Sequence, residues 1–258
     1  MIFNNTFYRT FNATQPYAEY TFNTDSKVTG VNIYGFLSVP DAFLTDKAQL
    51  TTFNYVDSPA LSSIGDQAFK GCSALVMSVF PATVTSIGAN SFYQATKVAF
   101  TQLNNLITVL PSSCFWGATA LALTSLPTGL VTIGYNCMAN TAVTISSIPA
   151  SVTSMGSTCF GGCTKIQNIE IGASKVGTGV NQFSGCTGIK KVWIRSTCTE
   201  ITAPSADLAP FANCGTTLEI YLESSAAPAG FGAYWNRTGA AGGTIASVVY
   251  NQATKPWA

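Results

Sequence analysis

Large apolar residues recur along the middle of the chain at an almost constant interval. The residues at this anchor position are Phe69, Phe92, Phe115, Met138, Phe160 and Phe183, at steps of 23, 23, 23, 22 and 23 residues. Phe43 and Phe211 extend the series at looser steps. A single short repeat cannot bury its own apolar face, whereas stacked repeats bury a continuous core. The spacing therefore predicts a solenoid of about seven or eight repeats with a column of anchor side chains inside it.

Three further columns keep the same period. The residue three positions after the anchor is small, at Cys72, Ala95, Ala118, Thr141, Cys163, Cys186 and Cys214. The aliphatic residue five positions before the anchor is often followed by glycine, at Gly65, Gly88, Gly134 and Gly156. A turn-forming position holds Pro81, Asn104, Pro127 and Pro149. The glycines predict a tight corner that needs either positive φ or close backbone approach.

In the later repeats, apolar and polar residues alternate with the period of a half-buried strand. The predicted inward pairs are Ile169/Ile171, Val192/Ile194 and Ile220/Leu222. The outward residues are then Asn168, Glu170, Lys191, Trp193, Arg195, Glu219, Tyr221 and Glu223. Each of these repeats is therefore expected to contribute a β-strand with a polar outer face.

Several repeats carry a recognisable consensus of aliphatic, glycine, aromatic and cysteine positions. The segments are LSSIGDQAFKGCSAL (61–75), FPATVTSIGANSF (80–92), LPTGLVTIG (126–134) and IPASVTSMGSTCFGGCTKI (148–166). They resemble the BspA-like leucine-rich repeat family over roughly residues 40 to 222. The resemblance implies a β-rich solenoid, a right-handed array of leucine-rich repeats with non-repeat β caps. It also implies binding to proteins or surfaces rather than catalysis, in a family that includes bacterial surface adhesins, protozoan surface proteins and phage-encoded proteins.

The repeat pattern divides the chain into three parts. Residues 1–38 fit no repeat and are expected to form an N-terminal β cap or docking segment. Residues 39–223 form the predicted solenoid, and residues 224–258 are a Gly/Ala-rich C-terminal cap or extension. The exposed ends of a repeat array need such covers.

Composition narrows the function further. Charged residues make up 9% of the chain and the net charge is +1, so no electrostatic footprint for nucleic acid is expected. The chain contains no histidine and no nucleotide-binding or hydrolase motif, which argues against an enzyme, a metal site or a cofactor. Polar residues interrupt every apolar run, so no membrane span is predicted. The start lacks the features of a signal peptide, so we expect a virion or extracellular location after release, or a cell-surface location if the sequence is a mature fragment.

The eight cysteines fall mostly into ladders. Cys114, Cys137 and Cys159 precede the anchor, where Ala68 and Ser91 stand in other repeats. Positions that interchange with Ala and Ser favour reduced, buried thiols over disulfides. Zinc is disfavoured because the Cys159–Cys163 pair has no histidine and no second close cysteine pair. Cys198 lies outside both ladders.

Two surfaces are candidates for partner binding. No charged residue occurs between Val98 and Thr164, where Gln102 and Ser125 are predicted outward polar sites. This section is either a surface solvated by hydroxyl groups or a contact surface that avoids the cost of burying charge. The second candidate is the outer strand face, with Glu170, Lys191, Trp193, Arg195 and Tyr221. Its aromatic residues are either exposed as binding hot spots or, for Trp193, covered by a neighbouring element.

The sequence thus predicts a non-catalytic module whose partner is another protein or a cell-surface glycan. The alternative is a structural phage virion component, in the tail or associated with the capsid, that contacts other subunits of a larger assembly. The charge-poor surface and the non-repeat ends favour this alternative.

Overall fold

A computed structural model describes residues 6–7, 16–56, 60–176, 180–201, 210–214, 217–231 and 244–257. Within these ranges the chain forms β-strands, turns and bends, and no helix. The structure confirms the predicted β-rich solenoid, with about seven stacked turns. Residues 1–5, 8–15, 232–243 and 258 of the two predicted end segments lie outside the described residues, and the predicted domain limits stay a prediction.

A first ladder of two-residue strands runs along one side of the turns. Its members are β4 (Ser38–Val39), β6 (Ser63–Ile64), β7 (Ser86–Ile87), β8 (Val109–Leu110), β9 (Thr132–Ile133), β11 (Ser154–Met155), β13 (Lys175–Val176) and β15 (Glu200–Ile201). They form three parallel sheets, β4-β6-β7, β8-β9-β11 and β13-β15. In each strand the second residue is buried. The aliphatic column that the sequence analysis placed five residues before the anchor therefore lies in the core.

Longer strands occupy the other side at the two ends of the array. At the N-terminal end, β1 (Thr6–Phe7), β2 (Tyr17–Phe22) and β3 (Val28–Tyr34) pair antiparallel, and β3 pairs in parallel with β5 (Thr52–Val56). At the C-terminal end, β10 (Ser147–Ile148), β12 (Asn168–Ile171), β14 (Lys191–Ile194), β16 (Thr217–Leu222) and β17 (Thr244–Val249) form one parallel sheet. The alternation predicted for this region is confirmed, since Ile169, Val192 and Ile220 are buried.

The anchor side chains stack in one buried column. The ring centroids of Phe69 and Phe92 are 5.1 Å apart, and those of Phe92 and Phe115 are 5.4 Å apart. The column continues between Phe160 and Phe183 at 5.1 Å. Each ring thus buries its faces against the equivalent rings of adjacent turns, which is how short repeats share a core.

The first anchor is Leu44, so the prediction of Phe43 is wrong. The Leu44 N–H donates to the carbonyl of Ala68, just as the Phe69 N–H donates to the carbonyl of Ser91 one turn later. Leu44 is fully buried, whereas Phe43 is half-buried and packs against Phe36 at 5.8 Å. The step from Leu44 to Phe69 is 25 residues, so the first turn is longer than those that follow it.

The glycines that follow the aliphatic column lie at corners where the backbone passes very close to the preceding turn. Gly65, Gly88, Gly134 and Gly156 do not have positive φ, and a Cβ at each would collide with the backbone of the preceding turn. At Gly134 it would lie 2.5 Å from the Ser112 nitrogen. Of the two explanations that the sequence allowed, close backbone approach is the correct one.

Candidate binding surfaces

The outer strand face of the C-terminal sheet contains an ionic cluster centred on Arg195. The Arg195 Nη1 lies 2.7 Å from Glu170 Oε1, and its Nε lies 3.1 Å from Glu223 Oε2. Glu223 also accepts hydrogen bonds from the Ser196 N–H and hydroxyl at 2.7 Å each. The Arg195 guanidinium, followed by the Ser196 donors, lowers the pKa of Glu223 to about 2. These charges are therefore neutralised within the sheet.

Trp193 is covered by the chain's own C-terminal residues. Its side chain is 5% exposed, and its indole N–H donates to the Gln252 carbonyl at 3.1 Å. The Arg195 guanidinium lies 4.5 Å from the ring centroid. The expectation of an exposed Trp193 is wrong, because residues near Gln252 pack over this part of the sheet. The alternative, cover by a neighbouring element, describes the structure.

Tyr221 and Lys191 are also engaged within the sheet. The Tyr221 hydroxyl donates to Glu219 Oε2 at 2.7 Å, and Lys191 Nζ lies 3.5 Å from the same oxygen. The bond from Tyr221 is the main cause that lowers the pKa of Glu219. The structure thus brings the predicted strand-face residues together, but in contacts within β16 and between β14 and β16.

The charge-free section between 98 and 164 presents a different surface. Gln102 and Ser125 are exposed at equivalent positions of successive turns, as the sequence predicts. Beside Gln102 an open groove of about 410 Å³ is also lined by Val79 and Asn104. Val79 is 69% exposed and Leu106 is 70% exposed. Amides, hydroxyls and aliphatic tips therefore share this surface, and the polar groups cost little to cover when the partner offers them hydrogen bonds.

A second groove, which the sequence analysis missed, contains a surface aromatic stack. Tyr93 and Trp116 directly follow the anchors Phe92 and Phe115, and their rings stack at 4.6 Å with 15° between planes. Lys70 Nζ lies 5.9 Å from the centroid of the Tyr93 ring. The groove has a volume of about 600 Å³, and its lining includes Asp46, Gly71, Gln94, Thr96, Trp116, Gly117, Thr119 and Asn140. Two successive aromatic pairs, Phe-Tyr and Phe-Trp, were the sequence signal that could have pointed to it.

All eight cysteines are free and buried, which confirms the prediction of buried thiols. Burial raises the pKa of Cys72 and Cys214 to about 12 and that of Cys163 to about 11. Cys198, which no ladder explained, is buried beside β15, and burial raises its pKa to about 11. Thiols with such pKa values are protonated and unreactive at neutral pH.

Neither a metal cluster nor a membrane-spanning helix occurs in the described ranges. No group of three or more His, Cys, Asp or Glu residues there could hold a metal ion. No helix of the described residues is long and apolar enough to cross a membrane.

Comparison with known proteins agrees with the fold. The chain matches the family model described as "BspA type Leucine rich repeat region" in six copies, over residues 37–164 and 124–238. One similar solved structure is a leucine-rich repeat protein from Bacteroides ovatus ATCC 8483, 20% identical over 95% of this chain and 69% of that chain, with a TM-score of 0.50. Another is a leucine rich cell surface protein from Faecalibacterium prausnitzii A2-165, 14% identical over 91% of this chain and 98% of that chain, with a TM-score of 0.52. A search of curated proteins gives no match. At these identities the likeness shows the fold alone.

Proposed function

Because the chain belongs to the BspA-type leucine-rich repeat family, we propose that it is a non-catalytic recognition module. It binds another protein or a cell-surface glycan and acts outside the cytoplasm, at a cell surface or after release. The similar protein of Faecalibacterium prausnitzii is described as a cell surface protein, which supports this location.

The observation that carries the proposal is the charge-free surface of the middle turns. Between residues 98 and 164 the exposed apolar side chains include Leu106, Val109, Val131 and Tyr135, and this section of the sequence contains no charged residue. Covering an unpaired charge costs several kcal/mol, roughly, whereas covering a hydroxyl or amide that finds a partner costs far less. A surface of this composition suits contact with a partner.

The ionic strand face is the weaker candidate. Its carboxylates are already bonded to Arg195 and to Lys191, so a partner would have to replace existing contacts. The same bonds argue against paired carboxylates in a catalytic role, because general acid-base chemistry needs at least one carboxyl group free to exchange its proton.

The test introduces charge into the middle surface. Gln102→Lys and Ser125→Lys are made separately, with Thr187→Lys as the matched control at an exposed polar site of a later turn. Beads coated with each protein are counted on intact bacterial and animal cells. We expect wild-type and Thr187→Lys beads to adhere equally, and both middle-surface variants to adhere about tenfold less, which corresponds to a loss of about 1.4 kcal/mol. Circular dichroism checks that all variants fold.

Sedimentation velocity separates this proposal from the role of an assembly subunit. A monodisperse wild-type monomer fits a free recognition module. Obligate multimers that the two lysine variants dissociate would instead identify the same surface as a subunit contact. Equal adhesion by all variants would show that the middle surface is not the contact surface.

A further inference from the structure

The second groove offers an aromatic face with an open side. Tyr93 covers one face of the Trp116 indole, and the same position of the next turn is Ala139. A methyl group cannot cover an indole ring, so the face toward Asn140 borders the groove. Trp116 itself is half-buried. Its ring is therefore held in place by the stack while part of it remains available to a ligand.

Polar side chains and glycines alternate along the floor of this groove. Successive turns hold Asp46, Gly71, Gln94, Gly117 and Asn140 at the same left-handed corner, with φ between 55° and 72°. The carboxylate of Asp46 extends over Gly71, and the amide of Asn140 extends over Gly162, where a Cβ would collide with it. Gly71 and Gly162 thus make room for the side chain of the preceding turn. With neighbouring turns about 4.8 Å apart, the polar groups recur about every 10 Å.

The backbone N–H groups at the left-handed corners of this groove are already bonded. The N–H groups of Asp46, Gly71, Gln94, Gly117 and Asn140 donate to the carbonyls of Lys70, Tyr93, Trp116, Ala139 and Gly161, one turn further on. An extended peptide that pairs through its main chain would therefore find no free N–H group at these five corners. By contrast, the polar ends of the Asp46, Gln94 and Asn140 side chains make no hydrogen bond within the described residues. These three polar side chains are therefore available to a ligand.

We propose that this groove binds a neutral oligosaccharide along the axis of the solenoid, an inference that rests on the proposed recognition function and names its ligand class. A pyranose ring has an apolar C–H face, which suits the indole of Trp116, and a rim of hydroxyl groups, which suits amides and a carboxylate. Asp46 is the one charged residue among the described residues that line the groove, and no cation belongs to that lining, so a neutral sugar is favoured over an anionic one. The five turns from Asp46 to Asn140 span about 19 Å, the length of a short oligosaccharide.

The test titrates the purified chain with cellohexaose, laminarihexaose and chitohexaose and follows the heat of binding by isothermal titration calorimetry, a readout that does not depend on Trp116. We expect at least one of them to bind. Trp116→Ala should weaken that binding about tenfold, the loss expected for one ring stack. Gln94→Gly and Asn140→Gly remove the amides but keep a residue that the left-handed corner accepts, since glycine holds it at positions 71 and 117. Each should weaken binding about threefold to tenfold without unfolding the chain.

Trp257→Ala is the matched control, because Trp257 is also half-buried but lies outside the groove. It should bind as the wild type does. The inference is overturned if none of the three sugars binds, if Trp116→Ala binds as tightly as the wild type, or if an extended peptide competes at Trp116 while the sugars do not. Loss of sugar binding here with intact dependence of cell adhesion on Gln102 and Ser125 would overturn only this inference and leave the proposed function standing.

Discussion

The residue at the left-handed corner before each anchor determines how much backbone strain that corner stores. This column holds Ala42, Gln67, Asn90, Ser113, Asn136, Thr158 and Asn181, all with φ between 51° and 59°. Asparagine tolerates this region because its short polar side chain bonds locally, whereas a β-branched residue is a true outlier there. Thr158, the β-branched residue of this column, therefore stores the most backbone strain at this position.

Thr158→Asn should stabilise the protein. Asparagine already occupies the same corner at positions 90, 136 and 181, so the backbone needs no adjustment. A left-handed residue with a Cβ costs roughly 1–2 kcal/mol, and we expect about 1 kcal/mol of this to be recovered as a higher free energy of unfolding. Urea denaturation measures the change. The control Thr153→Asn, at an exposed site without positive φ, should stay within about 0.5 kcal/mol of the wild type. A lower stability of Thr158→Asn would show that its methyl packing beside Gly161 outweighs the strain.

At the scale of the strand and turn, buried thiols join one repeat to the next. The thiol of Cys72 donates to the Leu44 carbonyl at 3.0 Å, and that of Cys163 donates to the Met138 carbonyl at 3.0 Å. Cys214 bonds to the Phe183 carbonyl at 3.1 Å in the same way. Each acceptor is the anchor residue of the preceding turn. The small column thus selects cysteine both for its size and for a donor that reaches the neighbouring turn.

The raised pKa values of these buried thiols predict that the protein loses stability at alkaline pH. Their folded pKa values of about 11 to 12 lie above the unfolded value of about 8.5. Below pH 8.5, roughly, both states hold the protons. Above it the unfolded state releases them first, so stability falls as pH rises toward the folded pKa. Urea midpoints between pH 7 and 10.5 should show this decline.

Cys72→Ala tests whether the buried thiol causes this decline. Alanine should be accepted here because it occupies the equivalent positions 95 and 118. The free energy of unfolding of this variant should fall with rising pH less steeply than that of the wild type, by up to about 1.4 kcal/mol per pH unit. Equal slopes would mean that Cys72 ionises alike in both states. In the same series, the native wild type should react slowly with a thiol reagent at pH 8, and all eight thiols should react after denaturation.

The periodic elements could be predicted from sequence because every turn repeats the same environment. The anchor column, the small column and the strand alternation all follow from spacing, and the structure places them as expected. Phe43 was misassigned because the longer first turn changes the phase, and adjacent Phe43 and Leu44 are both apolar. Trp193 is covered by Gln252, which lies 59 residues further along the chain. A contact outside the repeats cannot be predicted from the repeat spacing. Tyr93 and Trp116 were missed because a residue beside a buried anchor gives no sign of which side it faces.

At the scale of the whole molecule, each turn is stabilised mainly by the turns next to it along the axis of the solenoid. Each repeat contacts its neighbours, and the N–H groups of the left-handed corners at Gly71, Gln94 and Gly117 donate to the adjacent turn. In such an array, stability approximates a sum of repeat and interface contributions, and damage to one turn affects its neighbours most. The groove around Trp116 crosses five of these turns, so its shape depends on the integrity of the middle of the array.

Removing an inner anchor should therefore destabilise the turns on both sides of it, whereas removing a terminal anchor should destabilise only the end of the array. Phe92 stacks between Phe69 and Phe115, whereas Phe211 is the last anchor of the column and stacks on Phe183 at 4.9 Å. Phe92→Ala should lower the free energy of unfolding by about 3–5 kcal/mol, the usual cost of emptying an aromatic core site. Hydrogen-deuterium exchange should then accelerate in the turns on both sides of it. Phe211→Ala should accelerate exchange in the last turns while the turns around Phe69 keep wild-type protection. Equal acceleration along the whole chain in both variants would contradict the one-dimensional picture, because it would mean that all turns open as one unit.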